Sequence, residues 1–388
     1  MQVTIIAPVL GEENNGTTVA TFNLIHSLRE KGHKVNVVCG DQYRKGEKDF
    51  YILPILSLGP LDMIVKANNV VLARFDKKII REACKGSDVV HVTMPLFLGA
   101  RVASFIKHEL GLPVTAGFHA QAENFSSHIF NLMESDLFNR YIYRRYHRGL
   151  FQYCEAIHYP TKFIQGLYEG VVGPTNGYVI SNGVRDTFYP YPVTRPDHLK
   201  DKKIILFTGR LSKEKSHHIL IKAVSLSKYE SDIQLVFAGQ GPRRKKLEKL
   251  AKKRLTNQPI INFFSHQELN NLINMADLYV HPAEIEIEAI SCLEAIKCGK
   301  VPVIANSPRC ATKAFAIDDR SLFKVNDVKN LSDKIDYWFD HDEERIRMGK
   351  IYAQSPIVDS VEVSMDKMEA MFMEVIGHGQ KQDLLLQR

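Results

Sequence analysis

The 388-residue chain has no apolar run approaching the roughly 20 residues that cross a bilayer. It has no paired cysteine motif either. Cys39, Cys84, Cys154, Cys292, Cys298 and Cys310 are irregularly spaced, with no C-x-x-C. That spacing argues against a zinc site and fits a reducing compartment. There is no short-period repeat. No signal-peptide pattern is seen: the chain opens on Gln2-Val3-Thr4-Ile5-Ile6-Ala7, already a buried-strand pattern. A cytoplasmic protein is expected, peripheral at the inner face of the membrane. The sequon-like Asn15-Gly16-Thr17 carries no weight in that setting. Charge of one sign is only mildly in excess, at +7 with a pI of about 8.9. Such an excess permits attraction to anionic lipid or nucleic acid and establishes neither.

What is present is ordinary for a globular protein: 45% hydrophobic and 24% charged residues. The length exceeds the roughly 250–300 residues at which single cores stop growing, so two domains are expected. Short apolar runs alternate with helical patterns in the first half: strands at 2–7, 34–38, 89–92, 113–118, 156–159 and 177–180, and helices at 19–31, 98–110 and 127–152. Residues 189–203, with three prolines, read as a linker. The alternation then restarts, with strands at 204–208, 234–238, 262–264, 278–280 and 301–305. This is the signature of two parallel, doubly wound α/β units. The expected domains are 1–188, with a C-terminal helix at 361–380 packing back on it, and 204–360. In such folds ligands bind at the carboxyl ends of the strands.

Two stretches of the second half carry chemistry. Phe207-Thr208-Gly209-Arg210-Leu211-Ser212-Lys213-Glu214-Lys215 lies between a strand and a helix. Gly209 lets the backbone turn, and Arg210 and Lys215 place two cations near a helix N-terminus, which suits a diphosphate. Solvated loop cations are the alternative. The second stretch runs from His281 to Ala295. Glu294 falls inside an apolar helix run, where a carboxylate is costly unless paired or liganded. Glu286 stands eight residues earlier, so the two could hold both ends of one ligand. Glu284 and Glu288 read as a solvated acidic face.

These residues resemble the retaining family 4 glycosyltransferases of the GT-B fold, over nearly the whole chain. Gly209 to Lys215 match G-R-L-x-x-E-K. Gly239-Gln240-Gly241-Pro242 match G-x-G-P. Glu286, Glu294, Ala295 and Gly299 match the E-x7-E motif with its following alanine and glycine, and Asn182-Gly183-Val184 match N-G-V. The resemblance implies two Rossmann-like domains facing a central cleft. It implies catalytic roles for His119, Arg210, Lys215 and Glu286. Arg210 and Lys215 would hold the donor diphosphate, Glu294 the ribose, and Glu286 the sugar. Gly16, Gly209 and Gly241 would be donor-binding. No metal or bound cofactor is implied, since the cations replace a metal; the nucleotide sugar is a substrate.

One departure concerns the sugar: where the family has Gly-Phe-Gly, this chain has Ile287-Glu288-Ala289. In the first half, His119, Glu123 and His128 resemble the H-T-x-x-E-x-x-x-H-Y stretch of bacterial diacylglycerol glucosyltransferases, with the threonine and tyrosine missing. A satisfied structural histidine is the alternative for His119. In 138–150, Phe138, Ile142, Tyr146 and Leu150 form a stripe with Arg140, Arg144 and Arg148 opposite. This is either a core-facing helix or one that lies on an anionic membrane. The segment 61–85 is a second candidate membrane or acceptor surface. The basic run 243–254 reads as solvated, and without interleaved aromatics it gives no support for nucleic acid. The expected partners are a nucleotide sugar, a lipid acceptor and an anionic membrane surface, with no nucleic acid. The expected reaction is transfer of a hexose, glucose in the first instance, from UDP-sugar to diacylglycerol. Transfer of mannose to another acceptor, a UDP-sugar epimerase and a non-catalytic relative are the alternatives.

Overall fold

The computed structural model describes residues 1–8, 10–11, 16–56, 73–94, 99–123 and 135–386. It divides into two compact units, Met1–Asn182 with Val361–Arg388, and Gly183–Ser360.

The first unit holds strands β1 (Gln2–Ala7), β2 (Lys34–Cys39), β3 (Phe50–Ile52), β4 (Val89–Val92), β5 (Val114–Gly117), β6 (Ala156–Tyr159) and β7 (Gly177–Val179). They form one parallel sheet in the order β3-β2-β1-β4-β5-β6-β7. Central strands buried on both faces read as continuous apolar runs. β4 and β6 fit that rule except for one histidine each, His91 and His158. Several helices start on side-chain caps that satisfy otherwise orphaned amides. Asp76 accepts from the amides of Lys78 and Ile79, Ser135 from Phe138, and Thr161 from Ile164. The last helix, Val361–Leu386, completes this unit: Met365, Met368, Met371, Phe372 and Val375 are buried in one cluster with Val3, Ile5, Val35 and Val37. Glu369 accepts from Lys31 Nζ at 2.6 Å and lies 2.7 Å from His33 Nε2.

The second unit holds β8 (Lys203–Thr208), β9 (Ile233–Ala238), β10 (Ile260–Asn262), β11 (Leu278–His281), β12 (Pro302–Asn306) and β13 (Leu322–Lys324), parallel in the order β10-β9-β8-β11-β12-β13. In both sheets the chain reverses direction of travel beside its first strand, between β1 and β4 and between β8 and β11. That is the topological switch point at which α/β sheets take ligands.

Three expectations are corrected. The unit boundary falls at 182/183 rather than at 188/189. Residues 189–203 are bound to the second unit rather than spanning as a free linker: Tyr191 donates to Asn271 at 2.6 Å, and Arg195 pairs with Asp277 at 2.7 Å. The strand expected at 262–264 lies at Ile260–Asn262.

Candidate active site

In the second unit the site is built where β8 and β11 end. The loop after β8 carries Arg210 and Lys215, and leads into helix His217–Val224. The loop lies directly on the turn after β9. A side chain at Gly239 would sit 2.0 Å from the Gly209 carbonyl oxygen, and one at Gly241 would sit 2.6 Å from that of Leu211. Leu211 N donates to Gln240 O at 2.9 Å, and Arg243 N to Leu211 O at 3.0 Å. The G-x-G-P turn therefore requires glycine because backbone touches backbone there. Gly209 and Gly241 shape the loop that presents the cations.

Lys215 Nζ forms an ion pair with Glu286 Oε1, and His281 Nε2 at the end of β11 lies 3.3 Å from the same oxygen. Burial opposes ionisation of Glu286, but the Lys215 ammonium and the His281 ring outweigh it and hold the carboxyl at about 2. Burial likewise works against the Lys215 charge, and Glu286 overcomes it, raising the lysine above its usual range. Arg210 is exposed on the same loop. Glu286 is fixed at its backbone too: its carbonyl accepts from Ala311 N at 2.9 Å.

Glu284 and Glu288 do not form a solvated face. Glu284 pairs with Arg309, and Glu288 is only 4% exposed. Ala289, which precedes helix Ile290–Lys297, has φ 65° and ψ 68°. That left-handed conformation costs an L-residue about 1–2 kcal/mol, and it is where the family pattern has glycine. The backbone bend is kept here without the glycine. Glu294, on the same helix, is half-buried; burial pushes its carboxyl up to about 7, and Arg185 partly offsets the rise. Arg185 and His281 were given no role in the sequence reading. A histidine closing the apolar run Leu278-Tyr279-Val280 was the available signal for the second; nothing local marks the first.

In the first unit, Gly16 begins helix Gly16–Glu30. His119 follows β5, and its ring folds back over Gly117. A Cβ at Gly117 would lie 2.8 Å from the His119 ring. Glu123 is buried and accepts from Tyr143 of helix Asp136–Gly149 at 2.7 Å. Residues 124–134, His128 among them, and residues 61–72 of the 61–85 segment lie outside the described residues. The inner face of that helix is Asn139, Ile142, Tyr143 and Tyr146; of the expected stripe, Ile142, Tyr146 and Leu150 are buried and Phe138 is half-buried, with Arg144 and Arg148 exposed opposite, so the stripe faces the core.

Two family models match this chain in tandem: Glycosyltransferase Family 4 over residues 14–188 and Glycosyl transferases group 1 over residues 194–354. The chain belongs to the family 4 glycosyltransferases of the GT-B fold. Among curated relatives of this transferase, the alpha-D-kanosaminyltransferase of Streptomyces kanamyceticus is 29% identical over 46% of the chain, and the match spans about half, 47%, of that enzyme. The alpha-monoglucosyldiacylglycerol synthase of Streptococcus pneumoniae is 22% identical over 79% of the chain and 71% of that protein. Anabaena HepE in complex with UDP and glucose superposes with a TM-score of 0.74 at 14% identity, covering 96% of the transferase and all of HepE. The catalytic domain of the cholesterol-alpha-glucosyltransferase of Helicobacter pylori is 50% identical over 39% of the transferase and 94% of its own length, with a TM-score of 0.38.

Proposed function

We propose that this transferase moves glucose from UDP-glucose to a membrane lipid acceptor such as diacylglycerol, with retention of configuration. The observation that carries the lipid reading is the outer face of helix Asp136–Gly149. Leu137 and Tyr141 are 78% and 57% exposed there, and Arg144, Arg145 and Arg148 are exposed on the following turns. Residues at this spacing share one helix face. Apolar side chains leading into a cluster of cations suit an anionic membrane surface. The similarity to a monoglucosyldiacylglycerol synthase supports the same acceptor.

In this reading the second unit holds the donor. Arg210 and Lys215 bind the diphosphate and stabilise it as it leaves, supplying the charge that a metal supplies elsewhere. Glu286, kept ionised by Lys215 and His281, accepts hydrogen bonds from sugar hydroxyls rather than donating a proton. Glu294 takes the ribose. The bond from the sugar to the diphosphate breaks through an oxocarbenium-like state, and the acceptor hydroxyl attacks from the face the diphosphate leaves. Its proton passes to a leaving phosphate oxygen. The family resemblance gives His119 of the first unit a role toward the reacting sugar.

The test is transfer of label from radiolabelled UDP-glucose into vesicles containing anionic lipid and either diacylglycerol or a sterol, with and without EDTA. Lipid-soluble label from diacylglycerol vesicles that survives EDTA, and is lost in Lys215→Ala, supports the reading. Label from the sterol vesicles alone replaces the acceptor, and label from GDP-mannose alone replaces the donor. Loss of label in EDTA overturns metal independence.

A further inference from the structure

Among the described residues, the carboxyl end of the first sheet contains a cavity of about 10 Å3. One water needs ~10–15 Å3 and two or more polar partners. Three imidazoles line it: His91 from β4, His119 after β5 and His158 from β6. Thr93 and Asn182 add polar groups, and Leu24 and Met365 close it from helices Gly16–Glu30 and Val361–Leu386. No charged side chain lines it among the described residues. The described residues hold no group of side chains suited to a metal ion.

The hydrogen bonding of His158 is decided by elimination. Its Nε2 lies 2.7 Å from the carbonyl oxygen of Ile180, which can only accept, so Nε2 carries the proton. Nδ1 is then a bare acceptor. It is buried, in a residue 3% exposed, and it has no protein partner. His91 Nδ1 is taken up by Thr115 Oγ1 at 3.0 Å. The His119 and His158 rings meet edge-to-face with centroids 5.4 Å apart. A buried acceptor with no protein partner, beside a void of one water's size, calls for that water.

We propose that this cavity holds one water molecule donating to His158 Nδ1, and that His158 and the water together position the neutral ring of His119 in a single tautomer. The inference rests on the role that the proposed reaction gives His119. His158 is then a positioning residue. With no charged side chain lining the cavity among the described residues, the three rings stay neutral: burial, then the neighbouring rings, hold His119 well below the usual histidine range, and burial holds His91 at about 3 and His158 at about 4.

The test uses the full chain labelled with 15N-histidine, His119 being identified by the signal lost in His119→Gln. The wild type is expected to give one neutral tautomer for His119 and the Nε2–H tautomer for His158. His158→Gln keeps a donor for Ile180 but loses the Nδ1 acceptor, and it should turn His119 into a mixture of tautomers. His158→Asn restores an acceptor at the Nδ1 position and should restore the single form. In the transfer assay, His158→Gln should lower kcat about tenfold or more, as misplacement of a reacting group does, with the donor KM little changed. His158→Asn should recover most of that loss. An unchanged His119 signal in His158→Gln overturns the inference, as do equal kcat losses in the two variants or a high-resolution crystal structure with the cavity empty. If no donor supports transfer, the tautomer measurement still decides the water and the positioning. If transfer is found and His119→Gln leaves it intact, the role of His119 fails on its own account.

Discussion

The two units place different kinds of polar group at the same point of the same fold. At the switch point of the second sheet, Lys215, Glu286 and His281 form a charged cluster with Arg210 exposed beside it. At the corresponding end of the first sheet, His91, His119 and His158 surround a small cavity that no charged side chain lines among the described residues. The difference lies in pairing. Burial acts against ionisation in both places, and it is overcome only where an opposite charge is in contact, so Glu286 stays ionised near 2 while His91 and His158 stay neutral to about 3 and 4. Among the described residues, the second unit offers charged groups at this point of the fold and the first offers uncharged ones.

The largest effect expected from breaking this contrast is at the cations. Arg210→Ala and Lys215→Ala should each lower kcat by about 10²-fold or more. Arg210 is exposed, so its variant should melt with the wild type. Lys215→Ala strands the Glu286 carboxylate and should also lower Tm, which a thermal melt checks alongside turnover. Equal melting of both variants would remove the buried pair from the account.

The neutral cluster is probed by acid. His91 and His158 have folded pKa values below the unfolded value of about 6.5, so the unfolded chain binds more protons between them. Their contribution is complete above pH 6.5 and is lost as pH falls toward 4, at up to about 1.4 kcal/mol per pH unit for each histidine. Urea midpoints measured between pH 7 and 5 should fall. The fall should be shallower in His91→Phe, and equal slopes would refute the assignment.

Glu294 is a carboxylate without the pairing that Glu286 has, and burial puts it at about 7. If it accepts ribose hydroxyls in its ionised form, UDP affinity measured by calorimetry should weaken as pH drops from 8 to 6, approaching tenfold per unit below 7. Glu294→Gln should bind more weakly and show no such slope. The smallest effect is expected at Ala289→Gly, which relieves a left-handed alanine and should raise stability by about 0.5–1 kcal/mol in denaturant titration, since glycine's extra chain entropy takes back part of the gain. A loss of stability would mean that the alanine methyl is a needed contact.

Much of the scaffold was legible because buried parallel strands are short apolar runs: β4 and β6 fall where the runs Val89–Val92 and Ala156–Tyr159 put them. The positions of residues with local signals were also legible, such as Lys215 in its loop and Glu294 in its helix. The three-residue β3 was not, since an edge strand of that length has no periodicity to read. Nor was the fate of residues 189–203, whose prolines suit a linker equally well as a strap held by Asn271, Asn274 and Asp277. Glu284 and Glu288 looked like a wet face because Arg309, 25 residues beyond Glu284, is invisible to local spacing. His91 and His158 could have been found: each is the one histidine in a short run that is otherwise apolar or aromatic and buried throughout.

The closing helix has a consequence for the order in which the protein can be made. The second unit is one continuous stretch, Gly183–Ser360, whereas the first is interrupted and finishes with residues after 360. During synthesis the second unit leaves the ribosome whole while the first still lacks Met365, Met368 and Phe372, a wall of its core. Although domains usually fold in the order they are synthesised, here the part made first is the part completed last, and a ribosome that stops before residue 361 releases a finished second unit attached to an unfinished first one.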